Sequence, residues 1–226
     1  VRNVGIKDGR IVTITKSAIS GARAIDASGH VVTAGFIDYE QQGLGPWSIK
    51  VSLLDGVTTQ MDFELGALNI PQWYAKREGT VQANYGTVVG QEFARMRVHD
   101  GVALEGPDIS SPYALTKLRP STLDDGIEGW ATVKSTYDEM NQTHAILDEG
   151  LRQGAVGIGS TVGYAIEAIT TFEMYQMQKL AGEYGRVSSI HHRFHPSAAP
   201  PTEGPMGAKE LIANAMALQA PLQIHH

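Results

Sequence analysis

The sequence predicts an α/β fold: the first part of a (β/α)8 TIM-type barrel, preceded by a small β domain. Three observations predict it. The runs Ile190-His191-His192-Arg193 and Pro221-Leu222-Gln223-Ile224-His225-His226 each end in adjacent histidines, with a helix-like segment between them. Two neighbouring parallel strands would thus deliver imidazoles to one end of a sheet. Barrels carry their functional groups at the carboxyl ends of strands, so histidines closing successive strands read as metal ligands. A lone histidine is more often a surface or hydrogen-bonded core residue, and the repetition one βα unit apart separates the two readings. Second, strand and helix patterns punctuated by glycine alternate from Tyr137 onward. Third, Asp8-Gly9 sits between the alternating runs Val4–Ile6 and Ile11–Ile14, a strong hairpin signal.

Taken in order, the hairpin is followed by a short strand around Ala22 to Ile25 and a turn at Ala27-Ser28-Gly29-His30. The apolar run Val31 to Asp38 then feeds the larger core, and Gly56 to Glu64 forms the next strand. From about Met96 to Tyr137 the chain is turn-rich and polar, with little periodicity, and is expected to cross the barrel mouth. His99 and His144 end no apolar strand and read as ordinary surface or structural groups. A helix is expected from Tyr137 to Gly150. The stretch Ala155 to Tyr164 is a strand with its loop; it lacks the Gly-Lys-Ser/Thr of a phosphate loop and the dinucleotide glycine spacing. Helices at Thr171–Gly185 and Lys209–Ala220 flank a strand at Val187–His191, and a last strand ends at His225-His226.

Composition narrows the chemistry. The 226 residues are 42% hydrophobic and 19% charged, enough for a sizeable core. A net charge of -6 and the absence of any Lys/Arg stripe argue against nucleic acid and anionic membrane as partners. There is no cysteine, so a metal would have to be held by His and carboxylate. No apolar run nears the roughly 20 residues that span a bilayer, and no signal-peptide pattern opens the chain; the location stays open, with the cytoplasm favoured. The start at Val1 and the end inside a strand fit a processed or split chain.

Several motifs resemble the amidohydrolase superfamily. Gly35-Phe36-Ile37-Asp38 looks like its first barrel strand, preceded by a β segment containing Asp8-Gly9-Arg10-Ile11, and Asp55-Gly56-Val57-Thr58-Thr59 resembles its second-strand signature. Asp62-Phe63-Glu64, Trp73 to Gly79 and Ala83-Asn84-Tyr85-Gly86 are similar to the branch of N-acyl-D-amino-acid deacylases that includes D-glutamate deacylases. The chain departs from the family where a His-x-His metal motif should follow Ile37-Asp38. Glu40 and Gln42 occupy those two positions, and Gln91 follows the third strand where related sequences often carry a His.

The resemblance implies residues 1–34 as part of a small β-sandwich domain and residues 35–226 as the first part of a metal-dependent barrel, completed by a further segment or a second polypeptide, in an oligomer. It implies one Zn(2+), held by Glu64, His191 and His226, with Glu40 and His225 as weaker candidates. A one-residue shift in register would exchange His225 and His226. The alternative for Glu64 is a solvated loop carboxylate, and Asp62 reads as a partner behind it. Ser160 and Tyr164 are expected to line the substrate pocket. Arg193 is expected either to bind a substrate carboxylate or to form a structural salt bridge. The general base, an eighth-strand Asp in the family, is not in this sequence.

The implied reaction is metal-assisted hydrolysis of the amide in an N-acyl amino acid, D-configured by preference, or a related small amide. Two alternatives stay open: a non-catalytic binding protein that has lost the His-x-His motif, and a hydrolase of cyclic or polymeric amides.

Overall fold

A computed structural model describes residues 2–42, 45–103, 119, 128–194 and 203–225. The chain divides into two compact units, Val1–Ala34 and Gly35–His226. In the first, β1 (Asn3–Lys7) and β2 (Arg10–Thr15) pair antiparallel. Asp8 and Gly9 both adopt left-handed backbone (φ 51° and 71°), so the two-residue turn matches the twist of its strands. The strand expected at 22–25 does not form, and the described residues of this unit hold this one small sheet.

Among the described residues, the second unit is built on six parallel strands in sequential order: β3 (Phe36–Asp38), β4 (Val57–Ala67), β5 (Asn84–Gly90), β6 (Gly157–Ser160), β7 (Val187–His191) and β8 (Leu222–His225). Sequential order with helical crossovers is the winding of a (β/α)8 barrel, here represented by six of its strands. Of the apolar run from Val31, only Phe36–Asp38 joins the sheet. The helices among the described residues are α1 (Pro46–Leu54), α2 (Ile70–Ala75), α3 (Gln91–His99), the single turn α4 (Gly129–Thr132), α5 (Tyr137–Arg152), α6 (Thr171–Glu183) and α7 (Gly204–Leu218). Most of the 96–137 excursion lies outside the described residues.

Local chemistry explains these boundaries. Helix α5 opens with a capping box, in which the Thr136 hydroxyl accepts from the Glu139 amide and the Glu139 carboxylate accepts from the Thr136 amide. Thr170 caps α6 likewise, accepting from the amide of Glu173. The outward layer of the sheet, Val89, Ile158 and Ile190, packs with Leu147 and Leu151 of α5, Met174 and Met177 of α6 and Phe93 of α3 in one buried cluster. Each such side chain stabilises the fold by about 1.5–3 kcal/mol.

A buried polar network ties this layer together. Arg95, fully buried on α3, donates to both carboxylate oxygens of Glu173 at 2.8 Å and to the carbonyls of Trp130 and Val133. Glu173 also accepts from Gln91, whose Oε1 accepts from Ser160. The pair is buried with most of its donors matched, the condition under which such a pair is tolerated in a core.

Strand β4 carries the irregularity on which the site depends. Its pairing with β5 slips between Asp62 and Ala67, and Gly66 adopts φ 69°. A Cβ there would stand 2.3 Å from the Val88 carbonyl oxygen. Only glycine meets both demands. Gly66→Ala is expected to cost about 2–4 kcal/mol, read as a lower urea midpoint at unchanged m; an unaltered midpoint would show that the slip relaxes without cost.

Candidate functional site

In parallel strands, residues paired in register share a face. His191 pairs with His225, Ser189 with Gln223, and Gly159 with Ser189. This face lies opposite the one that packs on the helices, so His191 and His225 emerge side by side at the carboxyl ends of β7 and β8.

The centre of the site is a contact between distant strands. Glu64 Oε1 lies 2.6 Å from His191 Nδ1, with both residues only 2% exposed. Strands β4 and β7 are three positions apart in the sheet, about 14 Å if it were flat. The contact exists because the sheet curls. A second carboxylate–imidazole pair spans the two edge strands: Glu40, just after β3, places Oε2 2.7 Å from His225 Nδ1. The other ring nitrogen of His225 meets the Ser189 hydroxyl.

Three features hold Glu64 in place. The Gln42 amide donates to its Oε2. The segment carrying Gln42 is pinned to β4 by the Gln41 amide on the Met61 carbonyl at 2.9 Å. Beneath, the fully buried Asp62 accepts three backbone N–H groups on Oδ1, from Glu64, Leu65 and Gly66 at 3.3, 3.1 and 3.1 Å. Asp62 thus fixes the backbone that presents Glu64 without touching its carboxylate.

Beside the pair stands Tyr164, about half exposed, its ring edge-on to His191 with centroids 4.8 Å apart. Burial, with the charge of Glu64 adding, pushes its phenol up, so it stays a neutral donor at ordinary pH. The Arg119 guanidinium lies 4.5 Å from the Tyr164 ring centroid and clasps Glu92 through two bonds of 2.8 and 2.7 Å. Glu92 also accepts from the Thr161 hydroxyl. Gln42, Glu64, His191, Tyr164, Arg119 and Glu92 therefore form one continuous polar line across the strand ends.

Two expected pocket residues are placed elsewhere. Ser160 shares its register with Ile190 and so belongs to the helix-facing layer, where its hydroxyl donates to Gln91 at 2.6 Å. Arg193 makes two bonds to Glu210 of α7 (2.6 and 3.0 Å) and two to the carbonyls of Ile166 and Ile169. Its planar fork ties the end of β7 to α7. His226, the third expected ligand, lies outside the described residues. Among the described residues no group of three His, Cys, Asp or Glu gathers closely enough to hold a metal ion. Of the three expected ligands, Glu64 and His191 are brought into direct contact, an oxygen against an imidazole nitrogen, donor types that suit zinc.

Arg119 and Glu92 were not anticipated. Arg119 falls in the stretch without periodicity; Glu92 directly follows Gln91 at the end of a strand, which was its one visible signal.

No family model matches the chain. Among solved structures, a D-aminoacylase described as defining a novel subset of amidohydrolases superposes on all of this chain with a TM-score of 0.72 at 22% identity, over 47% of its own length. Another D-aminoacylase structure, from work on the functional role of that enzyme's binuclear metal center, matches at 0.71 and 22% over 47%. L-Hydantoinase (dihydropyrimidinase) from Arthrobacter aurescens matches at 0.62 and 12% over 49% of its length. The chain thus shares its fold with these structures, and it spans about half of their length. At such identities the likeness is one of fold. No helix among the described residues is long and apolar enough to cross a membrane.

The brace under Glu64 gives the site a pH signature. Burial pushes the Asp62 carboxyl up from 3.8 to about 7, against the opposing pull of its three amide bonds. The folded protein therefore holds this proton more tightly than the unfolded chain does. The stability it contributes is complete below about pH 4 and is lost as pH rises through about 7. Against Asp62→Asn, which keeps an acceptor oxygen but cannot ionise, the wild type is expected to lose stability steadily between pH 4 and 7 in denaturant titrations. A difference that stays constant over that range would contradict this.

Proposed function

We propose that this chain supplies the metal-binding part of a hydrolase that cleaves the C–N amide bond of an N-acyl amino acid, D-configured by preference, or of a related small amide. The observation that carries the reading is the buried Glu64–His191 pair at 2.6 Å, formed between separate strand ends of an amidohydrolase-type barrel. One zinc ion is proposed, held by Glu64 and His191 with His226 as third ligand. Zinc so held supplies Lewis acidity at neutral pH, for polarising a carbonyl and acidifying water.

The chain's own residues then have distinct tasks. Asp62 and Gln42 keep Glu64 in one orientation, so little reorganisation is needed when charge develops at the site. Tyr164, neutral and half exposed beside His191, is the proposed hydrogen-bond donor to the substrate. The Arg119–Glu92 pair walls the site next to it. Arg193 and Ser160 are assigned no substrate contact, because their polar atoms are taken up by Glu210 and the carbonyls of Ile166 and Ile169 for the one and by Gln91 for the other. The proton acceptor is proposed to come from outside these 226 residues, on further sequence or a second polypeptide, consistent with the half-length match.

One observation favours a second reading, a ligand-binding barrel without catalysis: the described residues alone do not assemble three metal ligands. The two readings separate on one experiment, metal analysis of the purified full-length protein alongside hydrolysis of paired D- and L-N-acetyl amino acids. The expected result is one zinc per chain, with Glu64→Gln and His191→Ala each lowering kcat/KM by more than about 100-fold. Metal-free protein inert across the whole panel would leave the binding reading.

A further inference from the structure

The geometry points to Gln42 as the residue that limits this site to a single metal ion, its amide N–H occupying the carboxylate oxygen of Glu64 that a second ion would need. The inference rests on the reading of Glu64 and His191 as ligands. An ionised carboxylate only accepts, so the Gln42 amide must present its nitrogen to Glu64 Oε2. An amide nitrogen carries no lone pair for a cation, and its N–H dipole sets positive charge against that oxygen. Oε1 instead meets His191 Nδ1, and an imidazole, unlike an amide, can give up its proton and offer a lone pair to an ion. Glu64 cannot readily swing to offer Oε2 elsewhere, because Asp62 holds the backbone of residues 64–66 by three hydrogen bonds.

The neighbouring donors are arranged to the same end. Glu40, two residues before Gln42, is paired with His225, and His225 is engaged on its other side by Ser189. A second cation would have to break this pair as well as displace the Gln42 amide. Gln42 does not titrate, so the block holds at any pH at which the carboxylates are ionised.

The test is ion stoichiometry, independent of turnover. Full-length wild type and Gln42→Glu, a change of nearly equal shape that turns the donor into a charged acceptor, are dialysed against excess zinc chloride. Bound zinc is then counted by native mass spectrometry and elemental analysis, with thermal unfolding as the folding control. The expected result is one ion for wild type and two for Gln42→Glu. Should Gln42→Glu fail to fold, Gln42→His, neutral and bearing a lone pair at the same position, is expected to bind two. Two ions on the wild type, or one on each folded variant, overturns the role of Gln42 while leaving Glu64 and His191 as ligands. No zinc on the wild type overturns the metal reading itself and this inference with it.

Discussion

Everything at the strand ends depends on one short contact, the Glu64 carboxylate against the His191 imidazole. The two residues are separated by 127 positions in sequence and by three strand spacings in the sheet. Bringing them within hydrogen-bond range requires the sheet to curl, and the curl requires a tightly packed outer layer of helices to hold it. The contact also sets an electrostatic condition. A carboxylate this deeply buried is tolerable only when its oxygens are engaged, and both are, by His191 on one side and Gln42 on the other. The slip in β4, the positive φ of Gly66 and the three amides on Asp62 are what it takes to deliver Glu64 to that point.

The features legible in the sequence were those that repeat with a period. The hairpin at Asp8-Gly9, the strands ending at His191 and His225 and the helices after Thr136 and Thr170 all carried local signals of turn, alternation or cap, and each formed near its expected bounds. Glu64 could be read as the residue closing an apolar strand, but its burial could not. What could not be read was which strand end would meet which, since the pairings of Glu64 with His191 and of Glu40 with His225 are products of curvature.

The misplacements have equally specific causes. Ser160 follows Gly157-Ile158-Gly159, where two of three positions have no side chain to mark a face, so the phase of the strand was left to the one isoleucine. Ile158 faces the helices, and Ser160, two residues on, follows it there. Arg193 met a carboxylate 17 residues away on a helix, a pairing that no spacing rule announces. The run Val31 to Gly35 has strand composition but stays out of the sheet. Arg119 reaches the site from the stretch with the least pattern of all.

The alternation that sends Ser160 to the helix side also divides labour within each strand. One set of positions faces the helices and is knitted into Arg95, Glu173 and the methionines of α6, while the intervening set projects at the mouth. Because neighbouring residues answer to different masters, the mouth can be rewritten one position at a time without loosening the shell that keeps it curved. A lineage starting from such a scaffold could therefore exchange ligands, and with them chemistries, through single steps that each leave a foldable protein.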